Sequence, residues 1–141
     1  MSLTIEEMQR ILVEAFPGNE VPVVREANER TVTLCHPISD RHGRPGGTVS
    51  GPTLMMLADT AAWLAILYRI GPVLLAVTTS LHIDFLRKPA LADVCARARL
   101  LKLGQRLAVV DVEIYSEGSV DLAAKAQVTY SIPPRPRSDG E

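Results

Sequence analysis

An excess of charge of one sign, cysteines at metal-ligand spacing and a basic N-terminal stretch followed by an apolar one are all missing from this sequence. Each absence excludes something. Lys and Arg number 15 against 16 Asp and Glu, for a net charge of −1. They are spread along the chain, so no basic stripe exists to follow a phosphate backbone, and a nucleic-acid partner is not expected. Cys35 and Cys95 are the only cysteines, far apart and without histidine at ligand spacing. They are expected to be buried thiols of a reduced compartment rather than a disulfide or a zinc site. No Cys/His/Asp cluster has metal spacing, and no glycine-rich loop matches a P-loop or a dinucleotide fingerprint. The N-terminus "MSLTIEEMQR" has no basic n-region followed by an apolar core. No signal peptide is therefore expected, and the chain reads as cytoplasmic.

What is present is ordinary globular material: 141 residues, 47% hydrophobic and 22% charged, enough to bury one core. A single domain is expected over residues 1–134. The last stretch, 135–141, rich in proline and charge, reads as a disordered tail. Thr4 and Glu7 form a capping box, and Ile5, Met8, Ile11, Leu12 and Ala15 continue an apolar stripe, giving an amphipathic helix that ends at Pro17-Gly18. "VPVVREAN" and "RTVTLCHP" read as a hairpin, and "SDRHGRPGG" as a loop. A long helix follows from about Pro52 to Ile70, roughly 28 Å at 1.5 Å per residue. Gly71-Pro72 stops it.

After Pro72 the period of the apolar residues changes from 3.6 to 2. In "LLAVTTSLHIDFLRKP", strict alternation puts Thr79, Leu81, Ile83 and Phe85 on one face and Thr78, Ser80, His82 and Asp84 on the other. "DVCARARLLKLGQRLAVVDVEIYSEG" reads as two strands meeting near Gly104, which would set Arg97 opposite Asp111. "VDLAAKAQVTYSIP" places Leu122, Ala124, Ala126 and Val128 on one face. Strands with one apolar face following a long helix predict an α+β arrangement, an antiparallel sheet packed on one side by that helix. The helix is long enough to span a bilayer, but Asp59 near its centre would cost about 2.5–3.5 kcal/mol there. A membrane location is not expected.

Asp59 is the residue that asks for a function. Its helical neighbours are Met55, Met56, Ala62 and Trp63, and an unpaired carboxylate buried among them would cost several kcal/mol or take up a proton. It either sits on a strip that meets water or lines a cleft as nucleophile or general base. Upstream, Gly46, Gly47 and Gly51 lead into the helix. A free N–H at Gly51, at the positive end of the helix dipole, could polarise a carbonyl. Gly51 also has no side chain to hold a substrate off. Trp63 and the methionines read as core, or as the wall of an acyl pocket in the same place.

"GGTVSGPTLMMLADTAAWLA" and "TTSLHIDFLRKP" together resemble PaaI-type acyl-CoA thioesterases of the hotdog-fold superfamily, over about Val21 to Pro133. The resemblance implies a sheet wrapped around one long central helix, with a short N-terminal helix in front. It implies hydrolysis of small or medium acyl-CoAs, aromatic ones included, with no cofactor beyond the CoA of the substrate. Asp59 then matches the catalytic carboxylate, Gly51 the backbone donor to the thioester carbonyl, and Thr78 a hydroxyl that places water. Ser50 stands where the family commonly has His, and Pro52 where it has a second Gly. Arg87 and Lys88 fall where the family receives CoA phosphates. The family pairs protomers edge to edge, often pairs those dimers again, and builds its active sites at the dimer interface.

The two departures also fit an acyl-CoA binding protein or sensor that does not hydrolyse. His42 of the loop could stand in for the missing imidazole. An enoyl-CoA hydratase would need Asp and His five apart, and Asp40 and His42 are two apart. Ser80, His82 and Asp84 share a strand face and cannot nest as a triad.

Overall fold

The computed structural model describes residues 3–39, 43–44, 48–89 and 92–134. Helix α1 spans Ile5–Ala15 and carries the expected capping box: the Thr4 hydroxyl accepts the Glu7 N–H at 3.1 Å, and Glu7 accepts the Thr4 N–H at 2.9 Å. Met8 and Leu12 are its buried stripe. Strands β1 (Val23–Ala27) and β2 (Val32–His36) form the hairpin. The two-residue strand β3 (Gly43–Arg44), inside the stretch read as a loop, pairs with β4 (Thr48–Val49) just after it. Asp40, His42, Gly46, Gly47 and the tail 135–141 lie outside the described residues.

Helix α2 runs Gly51–Ile70, one residue earlier than the proline suggested, because the Ser50 hydroxyl caps it by accepting the Thr53 N–H at 3.4 Å. Gly71 ends it at φ +89°, a conformation that favours glycine. The helix is apolar on nearly every side, the composition of one that is enclosed. It is long and apolar enough to cross a membrane, but 61% of its most apolar window is buried within the domain.

Strands β5 (Val77–Phe85), β6 (Val94–Leu103), β7 (Leu107–Ser116) and β8 (Leu122–Ser131) complete a six-stranded antiparallel sheet of order β1-β2-β6-β7-β8-β5. Fully buried Ala58, Ala61 and Ala62 of α2 let the sheet lie close, against Ala96, Ala98, Val110, Val112, Ala124, Ala126 and Val128. This is the hotdog arrangement: a sheet curled around one central helix. Strand β5 forms one edge of the sheet.

Three expectations need correction. Cys35 and Cys95 are buried, but they are not thiols. They stand directly opposite in the β2–β6 ladder, with Cα atoms 4.0 Å apart, and are joined in a disulfide. Opposed residues of an antiparallel pair bring their side chains together, and spacing of 60 along the chain gave no sign of it. Arg97 pairs with Glu113 rather than Asp111, because the β6–β7 register is displaced by two residues from the one centred on Gly104. Finally, strict alternation fails in β5. The register shifts between Thr78 and Ser80, leaving Thr79 as the extra residue of a bulge. Thr78 opposes Tyr130 and Leu81 opposes Val128, so Thr78 shares the helix-facing side with Leu81 and Ile83.

Candidate active site

Asp59 lies in the middle of α2, half-buried, where the helix passes under the junction of β5 and β8. Two hydroxyls converge on one of its oxygens. Thr78 Oγ1 donates to Asp59 Oδ1 at 2.6 Å, and the Tyr130 hydroxyl donates to the same atom at 2.8 Å, also lying 3.0 Å from the Asp59 carbonyl. Hydrogen bonds to a charged oxygen are the strong kind. They fix the carboxylate in one orientation and leave Oδ2 without a donor among the described residues. Burial pushes the Tyr130 phenol well above its ordinary value. Thr78 opposes that push, and the adjacent Asp59 charge adds to it. Tyr130 therefore stays a neutral donor.

The β5 bulge is what brings Thr78 round to the helix. Without the extra residue Thr79, its side chain would point to the opposite face. Tyr130 was missed in the sequence although a signal for it existed. It continues the series Ala124, Ala126 and Val128 at period two, so it had to face the helix.

Two cavities open beside Asp59. One of about 510 Å³ runs between α2 and the segment after α1, and one of about 360 Å³ runs toward Trp63 and the chain entering β5. Trp63 is buried, as expected, but Met55 and Met56 are 42% and 38% exposed rather than core. Met56 lines the larger cavity.

The other expected residues lie elsewhere. Gly51 is at the start of α2, eight residues and about 12 Å of helix from Asp59. It lines a third cavity of about 330 Å³ together with Phe85, Leu86, Arg87 and Lys88. Arg87 and Lys88 are exposed, and Arg87 donates to the Leu122 carbonyl. Ser50 is occupied in capping, its hydroxyl also 2.8 Å from that of Thr53. The structure thus makes two clusters in one chain: Asp59, Thr78 and Tyr130, and Gly51, Arg87 and Lys88. His82 and Asp84 bond each other at 3.1 Å on the exposed face of β5, outside both. Among the described residues no group of three or more His, Cys, Asp and Glu could hold a metal.

The sequence profile described as "Thioesterase superfamily" matches residues 46–123, more than half of the chain and the segment that carries Gly51, Asp59 and Thr78. The chain belongs to the thioesterase superfamily. Among solved members, it is 40% identical to a Silicibacter protein proposed to be a thioesterase, with 94% of this chain and 93% of that one covered and a TM-score of 0.85. A point mutant of the phenylacetic acid degradation protein PaaI from Thermus thermophilus is 32% identical over 85% of this chain and 96% of its own, at a TM-score of 0.69. A protein of Thermoplasma acidophilum proposed to be an esterase is 25% identical, with 90% and 96% covered.

Proposed function

We propose that this superfamily member hydrolyses an acyl-CoA to a carboxylic acid and free CoA, as a homo-oligomer with its sites between subunits. One observation carries the reading: a core-helix carboxylate anchored through Oδ1 by Thr78 and Tyr130, with Oδ2 undonated where two cavities meet. Such a group can take the proton from a water attacking the thioester carbon, and CoA then leaves as the thiol. Alternatively its oxygen attacks directly, and water hydrolyses the resulting anhydride. The negative charge that develops on the carbonyl oxygen needs a donor. The Gly51 N–H, in the first turn of α2, is a suitable one.

Gly51 cannot reach the Asp59 of its own chain, because a rigid helix keeps them about 12 Å apart. A second copy resolves this. Strand β5 is an unpaired sheet edge, and Val77, Phe85, Leu86, Met55 and Met56 are exposed around it. Exposed edges and apolar patches of this kind are pairing surfaces. In a two-fold dimer each site would take Asp59, Thr78 and Tyr130 from one subunit and Gly51 from the other. Arg87 and Lys88, in the Gly51 cavity, would meet the CoA phosphates. This chemistry calls for no metal and no cofactor beyond the CoA of the substrate. We place it in the cytoplasm. The disulfide removes the thiol argument for that location, which then rests on the substrate.

A second reading, an acyl-CoA sensor without turnover, is favoured by the capping role of Ser50 and by Pro52, which has no N–H to offer. Thiol release from a panel of acyl-CoAs separates the two. The wild type should turn over, and Asp59→Asn should lose at least about 10²-fold. Full activity in the variant would remove Asp59 from the chemistry, and binding without any release would leave the sensor.

A further inference from the structure

One aromatic residue, Phe16, lines both cavities at Asp59. The 510 Å³ cavity is bounded by the turn Gly18–Pro22, His36 and Met56, and the 360 Å³ cavity by Ala15, Trp63, Leu74, Ala76 and Val77. Among the described residues only Phe16, Asp59 and Thr60 line both. The Thr60 hydroxyl is taken by the Met56 carbonyl at 2.8 Å. Phe16, 42% exposed, is the largest of these three side chains. Its ring stands edge-on to Trp63, with centroids 6.3 Å apart and planes at 73°, a favoured aromatic geometry. Its backbone is held on both sides. The Phe16 N–H donates to the Leu12 carbonyl at 3.2 Å, closing α1, and its own carbonyl accepts the Asn19 N–H at 3.2 Å. Gly18, at φ +79°, makes that turn possible.

A thioester extends two unlike arms from its carbonyl carbon, one apolar and one carrying the polar CoA. Both cavities have a mostly apolar exposed lining, and they differ in which polar side chains they include. Beyond the carboxylate and its hydroxyl neighbours, the smaller one is walled by apolar side chains, whereas the larger one includes Asn19, Glu20 and His36. We propose that the acyl group enters the smaller cavity and that Phe16, braced on Trp63, is the wall that limits its length. This rests on the reading of Asp59 as the thioester site. Shortening the ring to a methyl group joins the two spaces and admits longer chains. Enlarging it closes the smaller one further.

The test uses straight-chain acyl-CoAs from acetyl to palmitoyl with wild type, Phe16→Ala and Phe16→Trp, each checked for folding by circular dichroism. In Phe16→Ala the length optimum should move up, and the kcat/KM ratio of long to short chains should rise at least about tenfold, the worth of burying two extra methylenes. In Phe16→Trp the optimum should move down. Trp63 is the sole tryptophan, and in wild type and Phe16→Ala its emission reports occupancy without requiring turnover. Titration of both proteins, each also carrying Asp59→Asn, gives a length profile even if no acyl-CoA is hydrolysed. A shifted binding profile without hydrolysis would keep Phe16 as the wall while removing the enzymatic reading. Unchanged length profiles in both Phe16 variants, or no acyl-CoA binding at all, would overturn the proposal.

Discussion

The Thr78 hydroxyl meets Asp59 Oδ1 at 2.6 Å, tying the edge strand of the sheet to the middle of the core helix. That contact exists because the bulge at Thr79 turns Thr78 inward, and with Tyr130 it sets which carboxylate oxygen is left without a donor. Removing either donor should loosen the carboxylate rather than delete it. Thr78→Val and Tyr130→Phe should each lower kcat by about 10- to 10²-fold with a smaller change in KM, since misorientation of a reacting group acts on the chemical step. Steady-state kinetics on the best acyl-CoA of the panel checks this. A pure KM effect would make both residues binding groups only.

The separation of Gly51 from Asp59 makes a prediction about subunits. Gly51→Val should fold, because a Cβ there meets only the half-exposed Phe85 ring, at 3.4 Å and 3.6 Å. It should still be inactive, because the added bulk blocks approach to the N–H. Co-refolded in equal amounts with Asp59→Asn, it should recover about a quarter of wild-type activity, since half of the two-fold dimers formed carry one intact site. No recovery would place the site within one chain.

The pH dependence of stability carries the mark of Tyr130. Burial, and behind it the Asp59 charge, raise its folded pKa above the unfolded value, which is about 10. The native state holds the phenolic proton more tightly than the unfolded chain, so this contribution is complete below about pH 10 and declines as pH rises from there toward the folded value. Tyr130→Phe should flatten the alkaline fall in thermal midpoint between wild type and variant. An identical alkaline slope in both would show that Tyr130 is not the group responsible.

The Cys35–Cys95 bond closes a loop with a sequence separation of 60. On the chain-entropy account a cross-link of that span stabilises by about 4 kcal/mol. Denaturant unfolding with and without reductant should show a loss of that order. Protein denatured without reductant should titrate no free thiol, and two free thiols per chain would contradict the bond.

Much of the fold was legible because local chemistry and periodicity agreed. Thr4 and Glu7 could only cap α1. The period-two runs gave the strands, and the stretch from Leu54 to Leu67, apolar except for Asp59 and Thr60, gave the helix that ends up enclosed. Asp59 announced itself as a charge among apolar neighbours. Errors came where pairing, not pattern, decides. The two-residue displacement of the β6–β7 register exchanged Asp111 for Glu113 as the partner of Arg97, and the bulge at Thr79 reversed the face of Thr78. Cys35 and Cys95 became partners through register alone.

The amino-acid sequence by itself determined the two helices, the six longer strands and the presence of a carboxylate that a core helix does not need. It did so through interactions within a few residues: caps, alternation and helical spacing. The tertiary structure alone decided which hydroxyls hold Asp59, which cysteines are joined, and that Gly51 and Asp59 lie in separate clusters of one chain. Those facts depend on strand register and on a rigid helix's length, and both are set by packing between residues distant in the chain.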